Sequence, residues 1–381
     1  MKTYPKWLSA AVLSAMLASA AAALETKAKN VILMDYDTGE YLFAENAFVP
    51  VAPASMSKLM TVYVLFSKLK DGTLSLEDVF SVSENAWRTG GAASGSSTMF
   101  LPIGSKVTVE NLIKGIIIQS GNDACIVAAE NIAGSEEDFA ELMNAKAKEL
   151  GLKNSHFVNS TGLPHPDHRM SAEDLARLAQ ALIRDFPEYY SVFSQKSFTY
   201  NNILQGNRNP LLYSMPDADG LKTGHTAEAG FCLTASVKRG DRRLIGVMTG
   251  LKSNKERSEE AEKLMNWGFR EFNNYKVFKQ FQRIVSVPVY MGEEKSIDLA
   301  VDEDVIMTIA RSKARDVKLT AVYEKPVKAP VAQGDKLGEV KIEIPGGEVK
   351  TVPLYADHSI RKLGFWGRIL SNVKYLLFGA E

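Results

Sequence analysis

Pro53-Ala54-Ser55-Met56-Ser57-Lys58-Leu59-Met60-Thr61 is the stretch from which the rest of this chain is read. Its apolar continuation predicts a helix from about Ser55 to Lys70, ended by Asp71-Gly72. Pro53 suits a helix entrance. Ser55 and Lys58 then stand at i and i+3, on one face. A serine hydroxyl is a weak nucleophile and needs a base beside it. A lysine serves as that base when burial or a second cation lowers its pKa. Alone, S-x-x-K is a weak pattern. Ser67-Lys68-Leu69-Lys70 also matches it and reads as helix surface.

Two further motifs lie downstream. Ser120-Gly121-Asn122 falls between an apolar helix expected over Thr108–Gln119 and another over Asn122–Ile132. Its hydroxyl can relay a proton and its amide can bind a peptide carbonyl, although such a tripeptide is more often a turn with a helix cap. Lys222-Thr223-Gly224 ends an expected strand. Lys222 offers a cation to a carboxylate, Thr223 a hydroxyl, and Gly224 lets a ligand lie against the strand edge. Each motif is unspecific by itself. In this order, and in the contexts helix start, interhelix loop and strand, the three form one signature.

With these motifs the chain resembles the low-molecular-mass penicillin-binding proteins that act as D-alanyl-D-alanine carboxypeptidases. Ser120-Gly121-Asn122-Asp123-Ala124-Cys125 and Gly220-Leu221-Lys222-Thr223-Gly224-His225-Thr226 extend the likeness. The resemblance implies an α/β (α+β) serine β-lactamase-like domain, then a small all-β domain and a terminal amphipathic helix. It implies removal of the terminal D-alanine from peptidoglycan stem peptides through an acyl-enzyme on Ser55, with Lys58 as base and Ser120 and Lys222 passing the proton. Backbone N–H groups of Ser55 and His225 would form the oxyanion hole. Asn122 would hold the substrate amide, and Lys222, Thr223 and a further cation its carboxylate. For that cation we take Arg257, against the plainer reading of an exposed helix arginine. The loop containing Ser96 and Ser97 fits the family's mobile segment beside the site. β-Lactams would bind covalently, and the chemistry requires no cofactor and no metal. A D,D-endopeptidase, a transpeptidase, a β-lactamase and an idle cell-wall-binding scaffold are the alternatives. The intact Ser55, Lys58, Ser120, Asn122 and Lys222 argue against the scaffold.

Around the motifs, Asn30–Phe43 reads as a hairpin turning at Asp37-Thr38-Gly39. Ser171–Asp185 opens with a capping box, Ser171 with Asp174. Phe231–Arg239 and Arg243–Thr249 read as strands joined at Gly240-Asp241. A helix is expected over Arg257–Phe272, with Ala261, Leu264, Met265, Gly268, Phe269 and Phe272 on one face. After about Gln282 the texture changes to short alternating runs: Ile284–Tyr290, Ser296–Val301, Val305–Ile309, Val317–Tyr323 and Gly338–Ile344. The expected division is a catalytic domain over 24–282, a β domain over 283–357 and an amphipathic membrane-anchor helix over 358–381.

The chain has 381 residues, enough for two to three domains. Its 45 basic and 45 acidic residues show none of the basic excess of a nucleic-acid binder, so no nucleic acid is expected as a partner. Two cysteines exclude a disulfide scaffold. Lys2 and Lys6 precede an uncharged run from Trp7 to Leu24, and small residues crowd its end at Ala18-Ser19-Ala20 and Ala21-Ala22-Ala23. This reads as a cleaved secretory signal over 1–23, with an uncleaved membrane anchor as the alternative. At the other end, Trp366, Ile369, Leu370, Val373, Leu376 and Leu377 share a helical face, with Arg361, Lys362, Arg368 and Lys374 nearby. A basic amphipathic helix of this kind can lie flat on a membrane surface, with a terminal helix docked on its own protein as the alternative. The two ends place the enzyme on the periplasmic face of the inner membrane.

His165-Pro166-Asp167-His168 lies in a loop without metal-ligand spacing. Cys125 and Cys232 read as small buried hydrophobes, with a disulfide as the alternative.

Overall fold

The computed structural model describes residues 24–367 and 369. The expected signal over 1–23 lies outside them, as does most of the expected terminal helix.

The first domain is built on a five-stranded antiparallel sheet. Its strands are β1 (Asn30–Asp35), β2 (Tyr41–Glu45), β3 (Ala218–Thr226), β4 (Gly230–Arg239) and β5 (Arg242–Leu251), in the order β2-β1-β5-β4-β3. All of β1 is buried because both faces of the sheet are covered. Ile32 and Met34 face the larger helical body, while Val31 and Leu33 face the opposite core. That alternation is the period-two geometry of a strand.

On the larger side lie α1 (Lys58–Lys70), α2 (Val109–Lys114), α3 (Asn122–Ala133), α4 (Glu136–Glu149) and α5 (Ala172–Asp185). Half of the expected capping box of α5 forms: Ser171 accepts from the Asp174 backbone N–H, while the Asp174 carboxylate accepts instead from Asn154 N and Ser155 Oγ. On the other side α6 (Asn254–Glu271) buries Ala261, Leu264, Met265 and Phe269. Gly268 within α6 is a packing requirement, since a Cβ there would meet a Leu244 methyl at 2.8 Å.

The expected helix over Thr108–Gln119 is α-helical only as far as Lys114. Gly115–Gln119 form a π turn, ended by Ser120 in the left-handed region at φ 65°. Such widened turns recur at functional sites.

The second domain starts earlier than the expected residue 283. α6 ends at Glu271, and Phe272–Phe278 forms β6, paired antiparallel with β9 (Val305–Ala310). The other strands are β7 (Arg283–Tyr290), β8 (Ser296–Ala300), β10 (Lys318–Tyr323), β11 (Val327–Lys328), β12 (Lys336–Glu343) and β13 (Val349–Ala356). They form one sheet in the order β10-β12-β13-β8-β7-β11. The domain also runs past the expected residue 357. Ile360 pairs with Val331 and is buried in the β core, and Lys362 pairs with Gly292. Helix begins only at Phe365, so the expected helical start at 358 is corrected: burial of Ile360 holds that segment extended. No helix among the described residues is long and apolar enough to cross a membrane.

The two domains meet through a polar joint. Asp35 is wholly buried and accepts from Arg242 Nε at 2.8 Å and Asn274 Nδ2 at 3.0 Å. Arg242 also donates to the Phe272 carbonyl at 2.7 Å. Beside them the Thr38 and Thr308 hydroxyls lie 2.6 Å apart. The turn of the first hairpin is thus hydrogen-bonded into β6 and β9.

Candidate active site

Ser55 lies on a 3-10 turn, Ala54–Ser57, that leads into α1. Ala54 before it has φ 49°, a conformation that costs a non-glycine residue on the order of 1 kcal/mol. Three contacts hold the turn. Ser57 Oγ donates to the Ala54 carbonyl at 3.2 Å. The Met56 side chain accepts from Thr234 Oγ1 of β4 at 3.3 Å. Gly224 of β3 approaches so closely that a Cβ would meet Ala54 Cβ and the Pro53 carbonyl, each at 3.1 Å. The glycine of the third motif therefore brings strand and turn together.

Lys58 is wholly buried. Its Nζ donates to Ser55 Oγ at 2.9 Å and also to the Thr161 carbonyl. Burial lowers its pKa from 10.5 to about 8, and Arg208 adds to the fall. The segment that supplies the Thr161 carbonyl is itself anchored, with Thr61 Oγ1 donating to the Ser160 carbonyl at 2.7 Å. Ser55 is only half-buried, so the nucleophile faces the cleft while its base does not.

Ser120 is buried, and its hydroxyl has no hydrogen-bond partner among the described residues. Asn122, also buried, donates from Nδ2 to Ser96 Oγ at 2.9 Å, and its Oδ1 has no partner among the described residues. Unsatisfied buried polar atoms are costly, and at a cleft they mark where a ligand completes the hydrogen bonding.

β3 is the edge strand of the sheet, so half of its backbone N–H groups have no neighbouring strand. Lys222 and Thr223 are buried there, with Lys222 Nζ donating to the Thr223 carbonyl at 3.3 Å. Burial holds Lys222 well below the usual lysine range, and the nearby charges of Lys58, Arg208 and Arg257 push the same way. His225 is exposed and lies against the Phe231 ring, centroids 4.1 Å apart.

Arg257 is buried, not on an exposed helix face. It donates to the Gly224 and Cys232 carbonyls at 3.4 and 3.3 Å and to Asn254 Oδ1 at 2.5 Å. Its Nε has no partner among the described residues. Burial lowers its pKa to about 10. Arg208 was not singled out in the sequence. It donates to Ser97 Oγ at 2.5 Å and stands close enough to depress both Lys58 and Lys222. Two arginines of β5 do have carboxylate partners, Arg242 with Asp35 and Arg243 with Asp219, and both lie at the far end of the strands. Among the described residues, Lys58, Lys222, Arg208 and Arg257 have no carboxylate in ion-pair contact. The site is a nucleophile with a buried amine base, surrounded by uncompensated positive charge.

The neighbouring features are structural. His168 is buried against Phe157, and burial lowers its pKa to about 4. Cys125 and Cys232 are both buried and unpaired.

Comparison with known proteins agrees with this geometry. Residues 16–253 match the D-alanyl-D-alanine carboxypeptidase family, and residues 272–362 match the C-terminal domain of penicillin-binding protein 5. The chain is 42% identical to D-alanyl-D-alanine carboxypeptidase DacC of Escherichia coli, over 89% of this chain and 85% of that protein. It is 40% identical to DacA of the same organism, over 92% and 87%. The crystal structure of penicillin-binding protein 5 from Haemophilus influenzae superposes with a TM-score of 0.79 at 37% identity, covering 89% of this chain and 99% of that one. The matched segment contains the Ser55–Lys58 pair, and the chain belongs to the D-alanyl-D-alanine carboxypeptidase family of penicillin-binding serine peptidases.

Proposed function

We propose that Ser55 attacks the carbonyl between the two terminal D-alanines of a peptidoglycan stem pentapeptide. Neutral Lys58 takes the hydroxyl proton. The developing oxyanion is held by the backbone N–H groups of Ser55 and His225, donors each worth about 3 kcal/mol when preorganised. Ser120 and Lys222 pass a proton to the departing D-alanine amine. The acyl group remains on Ser55 until water releases it. Asn122 holds the substrate amide, and Lys222, Thr223 and Arg257 hold its terminal carboxylate. A β-lactam enters by the same acylation. The observation that carries this reading is the buried Lys58 amine, 2.9 Å from the Ser55 hydroxyl.

The preference for a carboxypeptidase over a general amidase rests on the cations. A substrate ending in a free carboxylate gains from Arg257 and Lys222, and one extended beyond that point does not. The test is D-alanine release from diacyl-Lys-D-Ala-D-Ala, with Ser55→Ala beside the wild type. Loss of both release and penicillin labelling in the mutant is the expected result. Labelling without release in the wild type would instead favour an endopeptidase or transpeptidase.

We further propose that the enzyme works outside the inner membrane, tethered by its C-terminal tail. The support is the sequence of the two ends: an Ala-rich leader and a basic, Trp-containing amphipathic tail. Vesicles with anionic lipid should bring down the full chain, and a chain ending at Leu363 should stay in solution.

A further inference from the structure

Asp123 follows Asn122 in the first turn of α3 and is wholly buried. No ion pair offsets its charge among the described residues. Its carboxylate instead accepts hydrogen bonds from Thr98 Oγ1 at 2.6 Å, Met99 N at 2.9 Å, Leu101 N at 3.1 Å and Ala124 N at 2.9 Å. Three of these donors belong to the segment 98–101, remote in sequence. A buried carboxylate is tolerated only when its lone pairs are satisfied in this way. Further contacts fasten the same segment. Asn122 N donates to the Ser97 carbonyl at 2.7 Å, and Gln205 Nε2 to the Met99 carbonyl at 3.2 Å. Gly121 leaves room for it, since a Cβ there would meet Asp123 Oδ1 at 2.9 Å and Met99 N at 3.2 Å.

The clamped segment leads directly out of the two serines that touch the site. Ser96 Oγ accepts from Asn122 Nδ2, and Ser97 Oγ accepts from Arg208. Asn122 therefore meets the loop twice, through its backbone and through its side chain.

We propose that Asp123 is a positioning residue of this peptidase. By clamping Thr98–Leu101 to the start of α3 it fixes the Ser96 and Ser97 hydroxyls, and through them the Asn122 amide and the Arg208 guanidinium. The proposal rests on the reading of Asn122 as a substrate-binding group. Asp123 itself touches no substrate, and its effect passes through Ser96 and Ser97.

The test is a double-mutant cycle of Asp123→Asn with Ser96→Ala, read as kcat/KM for D-alanine release on folded protein. The asparagine keeps the shape but places an NH2 against backbone N–H donors. Hydrogen exchange at Met99 and Leu101 should speed up in Asp123→Asn. Its kcat/KM should fall about ten- to hundredfold, as displaced binding groups do. The double mutant should be no worse than Asp123→Asn alone, because both changes act on Asn122. Activity of Asp123→Asn within about twofold of wild type, or losses that multiply in the double mutant, would overturn the proposal. If Asp123→Asn does not fold, Thr98→Val removes a single donor, and the same non-additivity with Ser96→Ala decides. If the wild type releases no D-alanine, the cycle is read on the rate of Ser55 labelling by penicillin, which separates failure of the clamp from failure of the assigned reaction.

Discussion

Lys58 Nζ stands 2.9 Å from Ser55 Oγ, and the lysine is wholly buried where the serine faces the cleft. The base is thereby kept from water and the nucleophile is left open to substrate. Only neutral Lys58 can take the proton, and burial sets its pKa at about 8. The rate kcat/KM should climb about tenfold per pH unit below 8 and level off above it. A profile of D-alanine release from pH 6 to 9.5 checks this, and a flat profile would remove Lys58 as the base.

The same burial makes Lys58 a cost to the fold. Its folded pKa of about 8 lies below the ordinary 10.5, so the unfolded chain holds the proton more tightly across that window. The stability associated with the neutral amine is complete above pH 10.5 and is lost as the pH falls through 8. At pH 7, Lys58→Met should therefore stabilise the protein by on the order of 2 kcal/mol while abolishing turnover. The gain should vanish near pH 10.5. Thermal melting of mutant and wild type at both pH values is the measurement.

Arg257 donates to the backbone carbonyls of Gly224 and Cys232 and has no carboxylate in ion-pair contact among the described residues. Arg257→Gln should lower kcat/KM by about a hundredfold for a peptide ending in a free carboxylate, the scale of a lost buried charge pair. The same peptide amidated at its C-terminus should be affected by no more than about threefold. An equal fall for both would show that the arginine acts on the fold and not on the substrate's charge.

At the domain joint, Asp35 and Arg242 are an almost wholly buried pair. Asp35→Asn leaves the guanidinium without its counter-charge and should cost about 3 kcal/mol. It should also split a single calorimetric transition into two, because Asn274 and the Phe272 carbonyl are held in the same network. Lys276→Ala removes an exposed pair with Asp304 inside the second domain and should cost less than about 1 kcal/mol.

What was legible in the sequence was local. Ser55 and Lys58 are one turn apart, and their spacing alone places hydroxyl and amine together. Lys222-Thr223-Gly224 needed only a strand whose edge is open. The remaining parts are brought in from a distance. The Thr161 carbonyl that accepts from Lys58 is a backbone atom and has no sequence signature. Arg208 sits in a stretch without a motif and reaches Ser97 across 111 positions. The burial of Arg257 depends on carbonyls from two strands, which helical periodicity does not register. β13 was missed because Pro353 lies within it and proline demotes a strand. The structure tolerates it because β8 pairs with β13 only at Tyr355 and Ala356, leaving Pro353 with one neighbouring strand, β12. Helical periodicity runs one residue too far, to Phe272 at the start of β6, because Phe272 continues the apolar stripe of α6, although its backbone already pairs with Ala310.

The uncompensated cations of the cleft also bear on how this protein behaves on the bench. With Lys58, Lys222, Arg208 and Arg257 repelling one another, the empty enzyme is its least stable form, and any small anion that enters relieves the strain. Sulfate or phosphate in a storage buffer should therefore raise the melting temperature and, occupying the carboxylate's place, compete with substrate. At a hundredfold excess over its dissociation constant such an ion adds about 2.7 kcal/mol. Melting curves in acetate, chloride and phosphate would rank ligands for the cleft without any turnover assay, and kinetic constants measured in phosphate would understate the affinity for peptide.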